Sequence, residues 1–395
     1  MAAIIKSTRI ESIDVLRGIV MVVMALDHTR DYFHFGSFFS NPTNLETTTP
    51  FLFFTRFITH YCAPIFVFLA GTAAFLYGTN KTKPSLFKFL FTRGLWLIFL
   101  EFTLNNFLWW FDITFSFVVL QVIWVIGLSM VVLSFLIFLR KKILLAIGAI
   151  LVLGHNLLDT IKVTGNNIED IIWYILHQGG QIYTSPDQTI GAYYPAIPWI
   201  GIMVLGYCFG YFFKKDFDVA LRKKWLLYLG FGAIGLFFLI RGLNVYGDPV
   251  PWTPQNTTAK TIMSFFKVSK YPPSLAYTLI TLGPAMLFLY GIESIKNKVT
   301  NFLLVFGRVP LFYYFVHILV IHVFAIIGIV LFGGNWQDMI ITKDAFSTGK
   351  LLNYGYSLCI VYLVWIMVIA FLYPFCKKYM AYKANNKDKW WLSYL

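Results

Sequence analysis

An imidazole set into an otherwise apolar run is the first feature of this chain that could do chemistry. His28 follows Asp27 and precedes Thr29-Arg30-Asp31, at the end of the apolar stretch that begins after Gly18. Imidazole serves as general base or nucleophile near neutral pH. Asp31 stands one helical turn beyond His28, a spacing that lets a carboxylate fix a histidine tautomer, as the third member of a nucleophile–base–orienter set does. Arg17 lies eleven residues before His28, so on one helix both point to one face, about 16 Å apart along the axis. Asp14 sits one turn before Arg17 and can pair with it. Arg56 and His60, spaced i, i+4, form a second group. Glu101 and Asn105, with Asn106 beside them, form a third. Ionisable groups inside apolar segments are costly, which makes each a functional candidate. The plainer alternative is a set of interhelical ion pairs, Arg56 with Glu101 for example, that only holds helices together.

The elements that must position these groups follow from composition. Hydrophobic residues make up 58% of the 395-residue chain and charged residues 13%, with 41 phenylalanines. A water-soluble domain would need far more polar surface to cover that much apolar area. The chain therefore reads as an all-α integral membrane protein, a single bundle of about ten transmembrane helices in one domain, 1–395. A window of about 19 residues places the spans near 12–33, 56–78, 87–111, 115–139, 142–158, 195–213, 225–243, 272–292, 309–333 and 352–376. Continuous rather than alternating apolar runs favour helices over barrel strands. Pro64 is expected to kink the second span. The opening MAAIIKSTRIESID has no apolar core or cleavage site, so no signal peptide is expected. With the N-terminus in the cytoplasm, cytoplasmic segments hold 23 of the 32 basic residues. That bias predicts N-in and C-in termini in a multi-pass membrane protein. Alternating helix directions then bring Asp27, His28, Asp31, Arg56, His60 and Glu101 to one depth near the outer leaflet, with His155 and Tyr193-Tyr194 reaching the same layer. His317 and His322 read as deeper, hydrogen-bonded core residues.

Other classes are excluded or set aside. The +14 charge lies in short loop clusters beside the bilayer and not on a foldable basic face, so no nucleic-acid partner is implied. Cys62, Cys208, Cys359 and Cys376 are scattered singly, without CxxC or Cys/His metal spacing; no disulfide framework and no metal are expected. No Walker-type loop suggests ATP. A proton-coupled transporter or flippase would also use intramembrane Asp, Glu and His, and stays open as the alternative function. It would more often show paired repeats and helices broken at the midplane. A bis-histidine haem site would need a pair such as His60 with His155 facing across the bundle.

Three blocks carry a family resemblance: residues Arg9 to His34, the stretch THYCAPIFVFLAG, and FGRVPLFYYFVHILVIH. Together they resemble bacterial relatives of the heparan-alpha-glucosaminide N-acetyltransferase catalytic domain. The Arg17-x10-His28 spacing is also similar to the motif of type-three membrane acyltransferases in the same transmembrane acyltransferase superfamily. The resemblance implies an acyl-CoA-dependent enzyme that moves an acetyl group from cytoplasmic acetyl-CoA to a sugar or glycan acceptor on the far side. It implies His28 as the catalytic histidine by the type-three pattern. The lysosomal family instead has its histidine in the loop after this helix, where this chain offers only His34. His28 is favoured. Asp27, Asp31 and His60 stand with these histidines as candidate catalytic groups, and Arg56, Glu101 and Asn105 as candidate acceptor-binding groups. Arg17 and Arg308, with Gly307 beside it for close backbone approach, are the candidates for the CoA phosphates. Amine and hydroxyl acceptors, and direct transfer or a transient acetyl-histidine, are left open, and so is a homodimer.

Overall fold

The structure is a computed structural model that describes residues 10–346 and 348–393; Arg9 lies outside them. The chain opens with α1 (Glu11–Phe33), then α2 (Pro50–Thr59) and α3 (Cys62–Gly78). Thr49 caps α2 through Leu52 N, with Pro50 in the first turn, where a missing N–H costs nothing. The helix kinks where the sequence predicted, but the break falls ahead of Pro64, at His60-Tyr61. Proline supplies no N–H to the carbonyl four residues back. The orphaned His60 carbonyl accepts instead from Tyr277 Oη at 2.8 Å.

Next, α4 (Lys83–Leu100) runs through a π-turn at Glu101–Asn105 into α5 (Asn106–Trp110). Strand β1 (Phe117–Leu120) leads into α6 (Val122–Leu136), and α7 (Lys141–Gly154) ends in a tight 3-10 turn, His155–Leu158. The short α8 (Ile168–Trp173) passes into a second π-turn, Tyr174–Gln178. The hairpin β2 (Gly180–Ser185) and β3 (Gln188–Ala192) then completes a small sheet of order β1-β3-β2, with β1 parallel to β3. The remaining helices are α9 (Ala196–Phe209), α10 (Val219–Leu243), α11 (Thr258–Phe266), α12 (Leu275–Ile292), α13 (Lys298–Gly307), α14 (Pro310–Leu331) and α15 (Leu358–Asn385).

Seven stretches among the described residues are long and apolar enough to cross a membrane: Pro50–Gly78, Lys141–Leu158, Ala196–Phe213, Val219–Leu243, Leu275–Ile292, Pro310–Leu331 and Leu358–Asn385. The protein is an all-α integral membrane protein. A ten-span topology needs α1, α4 and α6 as well, and these are the shorter or more charged helices. α1 tolerates its charges because it runs through the middle of the bundle, packed against α2, α3 and α12 to α15. Several expected boundaries move. Residues 115–121, assigned to the fourth span, are loop and strand; the second span begins at Pro50; the tenth begins at Leu358, not 352.

Backbone-to-backbone packing at small residues sets the helix contacts. A Cβ on Gly71 would lie 2.0 Å from the Met203 carbonyl oxygen, and one on Gly206 would lie 2.0 Å from that of Phe68. These two glycines let α3 and α9 touch. Gly307 plays the same part against α1, where a Cβ would meet the Asp14 carbonyl oxygen at 1.9 Å. Its bare backbone thus admits a helix and not a ligand, contrary to the sequence expectation.

The connections sort into two ends of the bundle. At one end Phe35 N donates to Tyr356 O, Ile341 N to Trp110 O and Leu275 N to Asn156 Oδ1. At the other, Lys83 Nζ donates to Phe138 O, Arg222 pairs with Glu293, and Lys296 with Glu11. The first end holds the sheet and the His28 region.

Candidate active site

His28 lies on the last two turns of α1, partly exposed, against α14 and α5. Its Nδ1 is 2.7 Å from His317 Nε2, and His317 Nδ1 is 2.9 Å from the Tyr313 carbonyl oxygen. A carbonyl only accepts, so His317 carries its proton on Nδ1 and accepts at Nε2. His28 must then donate from Nδ1, which leaves the Nε2 lone pair free. This relay does what an Asp–His pair does, with a neutral orienter. The expected orienter, Asp31, faces elsewhere and pairs with Arg30 at 2.5 Å. His317 is therefore not a remote core residue but stacks on His28, ring centroids 4.9 Å apart. His322 fits the core expectation, its ring nitrogens 3.0 Å from Leu108 O and 2.8 Å from Met339 O.

Two further rings complete a box around His28. Trp109 meets it edge-on at 4.7 Å and Tyr314 at 6.4 Å. Trp109 Nε1 and Tyr314 Oη are both buried and make no hydrogen bond of ordinary geometry, and neither does Asn105 Oδ1. The phenol of Tyr314 lies beside both Trp109 and Asn105. Buried donors without partners are rare and mark strain, catalysis or a missing ligand.

Asp27 anchors the second half of the site. Its carboxylate accepts from Arg56 at 2.5 and 2.7 Å, from Thr59 Oγ1 at 2.7 Å and from Arg30 at 2.9 Å. Arg30 also pairs with Asp31, so the two arginines are matched by two carboxylates in one buried ion network. Lys270, also buried, adds a cation: its ammonium stands 5.1 Å from the Tyr271 ring and 5.8 Å from that of Tyr194, close enough to act electrostatically on Asp27, His28 and His60. His60 packs on Phe57 and Tyr277 with its Nδ1 unpartnered, while the His155 ring meets that of His177.

Glu101 departs from both sequence readings, since it neither meets Arg56 nor opens into the Asp27 cluster. The π-turn aims its carboxylate at the start of α6, where Oε2 accepts from Trp124 N at 2.8 Å and Oε1 from Asn105 Nδ2 at 2.7 Å. A carboxylate at a helix N-terminus satisfies orphan N–H groups there. Asn106 likewise clamps β1, donating to Val119 O at 3.1 Å and accepting from Val119 N at 2.7 Å. Glu101 and Asn105 thus support the site through Tyr314 and the α5–α6 corner.

His34 caps the C-terminal end of α1. With Arg30, Asp31, Ser37 and Ser40 it lines a small notch of about 20 Å³ that His28 does not line. Partial burial and the Arg30 guanidinium hold its imidazole below the usual histidine range. At the far end of α1, Arg17 donates to Asp14 Oδ1 at 2.8 Å and to Gly307 O at 3.2 Å. Arg308 approaches Glu11 at 3.5 Å and Asp14 at 3.8 Å. The two expected phosphate-binding arginines are brought together, around two carboxylates. An apolar groove of about 340 Å³, lined by Leu16, Val20, Val23, Tyr61, Pro284 and Phe288, runs along α1 between its two ends.

The family model for heparan-alpha-glucosaminide N-acetyltransferase, catalytic, matches residues 9–245, more than half of the chain. The chain belongs to that family. It is a membrane acetyltransferase by that membership. A search of curated proteins found no match. The family match covers His28, Asp27, Arg56 and Glu101 and ends before Lys270, Arg308, Tyr314 and His317, so α1 meets partners from outside the matched segment. Lys270, Trp109 and Tyr314 were not singled out by sequence reasoning. Lys270 sits in the connector Lys267-Val-Ser-Lys-Tyr-Pro-Pro and looks like one more loop cation.

Proposed function

We propose that the protein transfers an acetyl group from acetyl-CoA to an amine or hydroxyl of a sugar, with His28 Nε2 as the base. The observation that carries this reading is the relay from the Tyr313 carbonyl through His317 to His28, which leaves an unprotonated ring nitrogen on a ring packed against Trp109 and Tyr314. In the direct route, the acceptor nitrogen or oxygen attacks the thioester carbonyl carbon while Nε2 takes its proton. The carbonyl π electrons move onto oxygen, and Trp109 Nε1–H and Tyr314 O–H stand ready to donate to that oxyanion. Collapse of the intermediate expels the thiolate, which recovers the proton from the imidazolium. The Asp27–Arg56–Lys270 cluster borders the other side and offers charged groups to orient a polar acceptor. Arg17 and Arg308, at the opposite end of α1, suit the nucleotide phosphates, and the apolar groove between the ends suits a slender chain. This arrangement goes with a ten-span, N-in topology, donor in the cytoplasm and acceptor outside.

The test is purified protein in nanodiscs with radiolabelled acetyl-CoA and a panel of glucosamine-containing acceptors. Labelled product from the native protein, lost in His28→Ala by about two to four powers of ten, is the expected result. Unchanged transfer in His28→Ala, with loss in His34→Ala, would overturn the assignment of the base. Failure of acetyl-CoA to bind would overturn the reaction.

A further inference from the structure

His155, Asp159 and His177 come together at the same end of the bundle, apart from the His28 site. His155 opens the 3-10 turn that ends α7, Asp159 follows one turn later, and His177 projects from the π-turn Tyr174–Gln178. Each offers a ligand atom within 4.8 Å of the other two. His177 Nε2 and Asp159 Oδ1 are already 3.1 Å apart, and the two imidazole rings meet edge-on at 5.7 Å. Ligand atoms about 2.0 Å from a tetrahedral zinc stand about 3.3 Å from one another, so a small contraction closes the set.

A second observation points to a ligand there. His155 and His177 are each only 2% exposed. Neither ring nitrogen of His155 makes a hydrogen bond of ordinary geometry, and nor does His177 Nδ1. A neutral imidazole always presents one donor and one acceptor; the Pro273 carbonyl stands within reach of one His155 nitrogen, and burying the other without a partner is unfavourable. The surroundings match an outer shell around a metal. The Pro273 carbonyl lies against the His155 ring, and Asn156 Nδ2 donates to Asp159 Oδ2 at 2.7 Å, holding the carboxylate in place. π-turns inside helices concentrate at functional sites, and this one supplies a candidate ligand.

We propose that His155, Asp159 and His177 bind a divalent first-row transition ion, zinc by preference, with a fourth position left for water. Two imidazoles and one carboxylate select such ions over calcium or magnesium, which demand oxygen ligands. The ion ties the end of α7 to the π-turn before β2. Asn156 Oδ1 also accepts from Leu275 N at 2.9 Å, so the same brace reaches the first residue of α12, just after the Lys270 loop.

The experiment uses full-length protein without a histidine tag, stripped with chelator in detergent and titrated with zinc alone. About one zinc per chain after equilibration is expected, with a rise in unfolding temperature, and cobalt should give the intense d–d absorption of a four-coordinate site. His177→Gln and Asp159→Asn should weaken zinc binding by more than about tenfold and abolish the cobalt band. Both variants should keep a monodisperse profile and the unfolding temperature of the stripped native protein. Sub-stoichiometric zinc in the native protein, or native-like zinc and cobalt binding in both variants, would overturn the site and leave a hydrogen-bonded cluster only.

Discussion

His28 and His317 lie 289 positions apart in the chain, yet their rings stack with Nδ1 and Nε2 2.7 Å apart. That contact fixes which nitrogen of His28 is free, and the Tyr313 carbonyl behind it fixes the direction of the relay.

Replacing His317 should therefore damage turnover more than binding. His317→Leu removes the acceptor for His28 Nδ1–H and lets the imidazole take either tautomer. His317→Gln keeps a carbonyl oxygen that can accept from the same N–H. The expectation is a fall in kcat of about ten- to a hundredfold for His317→Leu, with little change in KM for acetyl-CoA, and partial recovery in His317→Gln. Steady-state kinetics on the two variants decide it; equal losses in both would mean that His317 only fills space.

The Asp27 cluster should behave as a buried ion network. Asp27→Leu strips the carboxylate from Arg56 and leaves that cation without a counter-charge, while Arg30 keeps Asp31. Breaking one side of such a network costs about 3–5 kcal/mol. The double change Asp27→Leu with Arg56→Met should regain much of that loss. Thermal denaturation in detergent followed by size exclusion reads both, and a double variant no more stable than Asp27→Leu alone would argue against direct coupling.

Asp112 predicts a pH dependence outside the membrane. Burial acts to raise its carboxyl group, but hydrogen bonds from Ser116 and Thr114, at 2.6 to 2.9 Å, outweigh this and hold it below the usual range. A folded-state value below the unfolded one adds stability that is complete above the unfolded value of 3.8 and is lost as pH falls through the folded value. The 112–116 loop, whose Ser116 hydroxyl also accepts from Lys343 N, should thus hold firm down to about pH 4 and loosen below it. Asp112→Ala should loosen it at every pH, read as hydrogen exchange of the amides of Thr114 and Ser116.

Much of this arrangement was legible from residue types and spacing. The apolar runs fixed the helices, and the ionisable groups of α1 and α2 marked the Asp27–Arg56 contact region, although the partner foreseen for Arg56 was Glu101. Single-segment spacing misled where the decisive neighbour came from a distant helix: Asp31 had the right interval to orient His28, while His317 had the right position. Trp109 and Tyr314 carried no signal in a chain with 12 tryptophans and 23 tyrosines. Strand β1 was invisible because Phe117-Val-Val-Leu is a continuous apolar run directly ahead of a helix, and period cannot separate the two. His155, Asp159 and His177 span a loop and a π-turn, so their convergence exists only in the fold.

The missing N–H of Pro64 has a mechanical consequence for Arg56. An unbroken rod from Pro50 to Gly78 would transmit every rotation of α3 directly to the guanidinium. The interruption uncouples them, and the Tyr277 hydroxyl on the His60 carbonyl gives α2 a new reference point on α12. Arg56 and Thr59 thereby take their azimuth from the helix that follows the Lys270 loop. The lower half is clasped by glycine to α9, while the two α2 groups gripping Asp27 are set by α12. Tyr277 acts as the pivot pin of that joint.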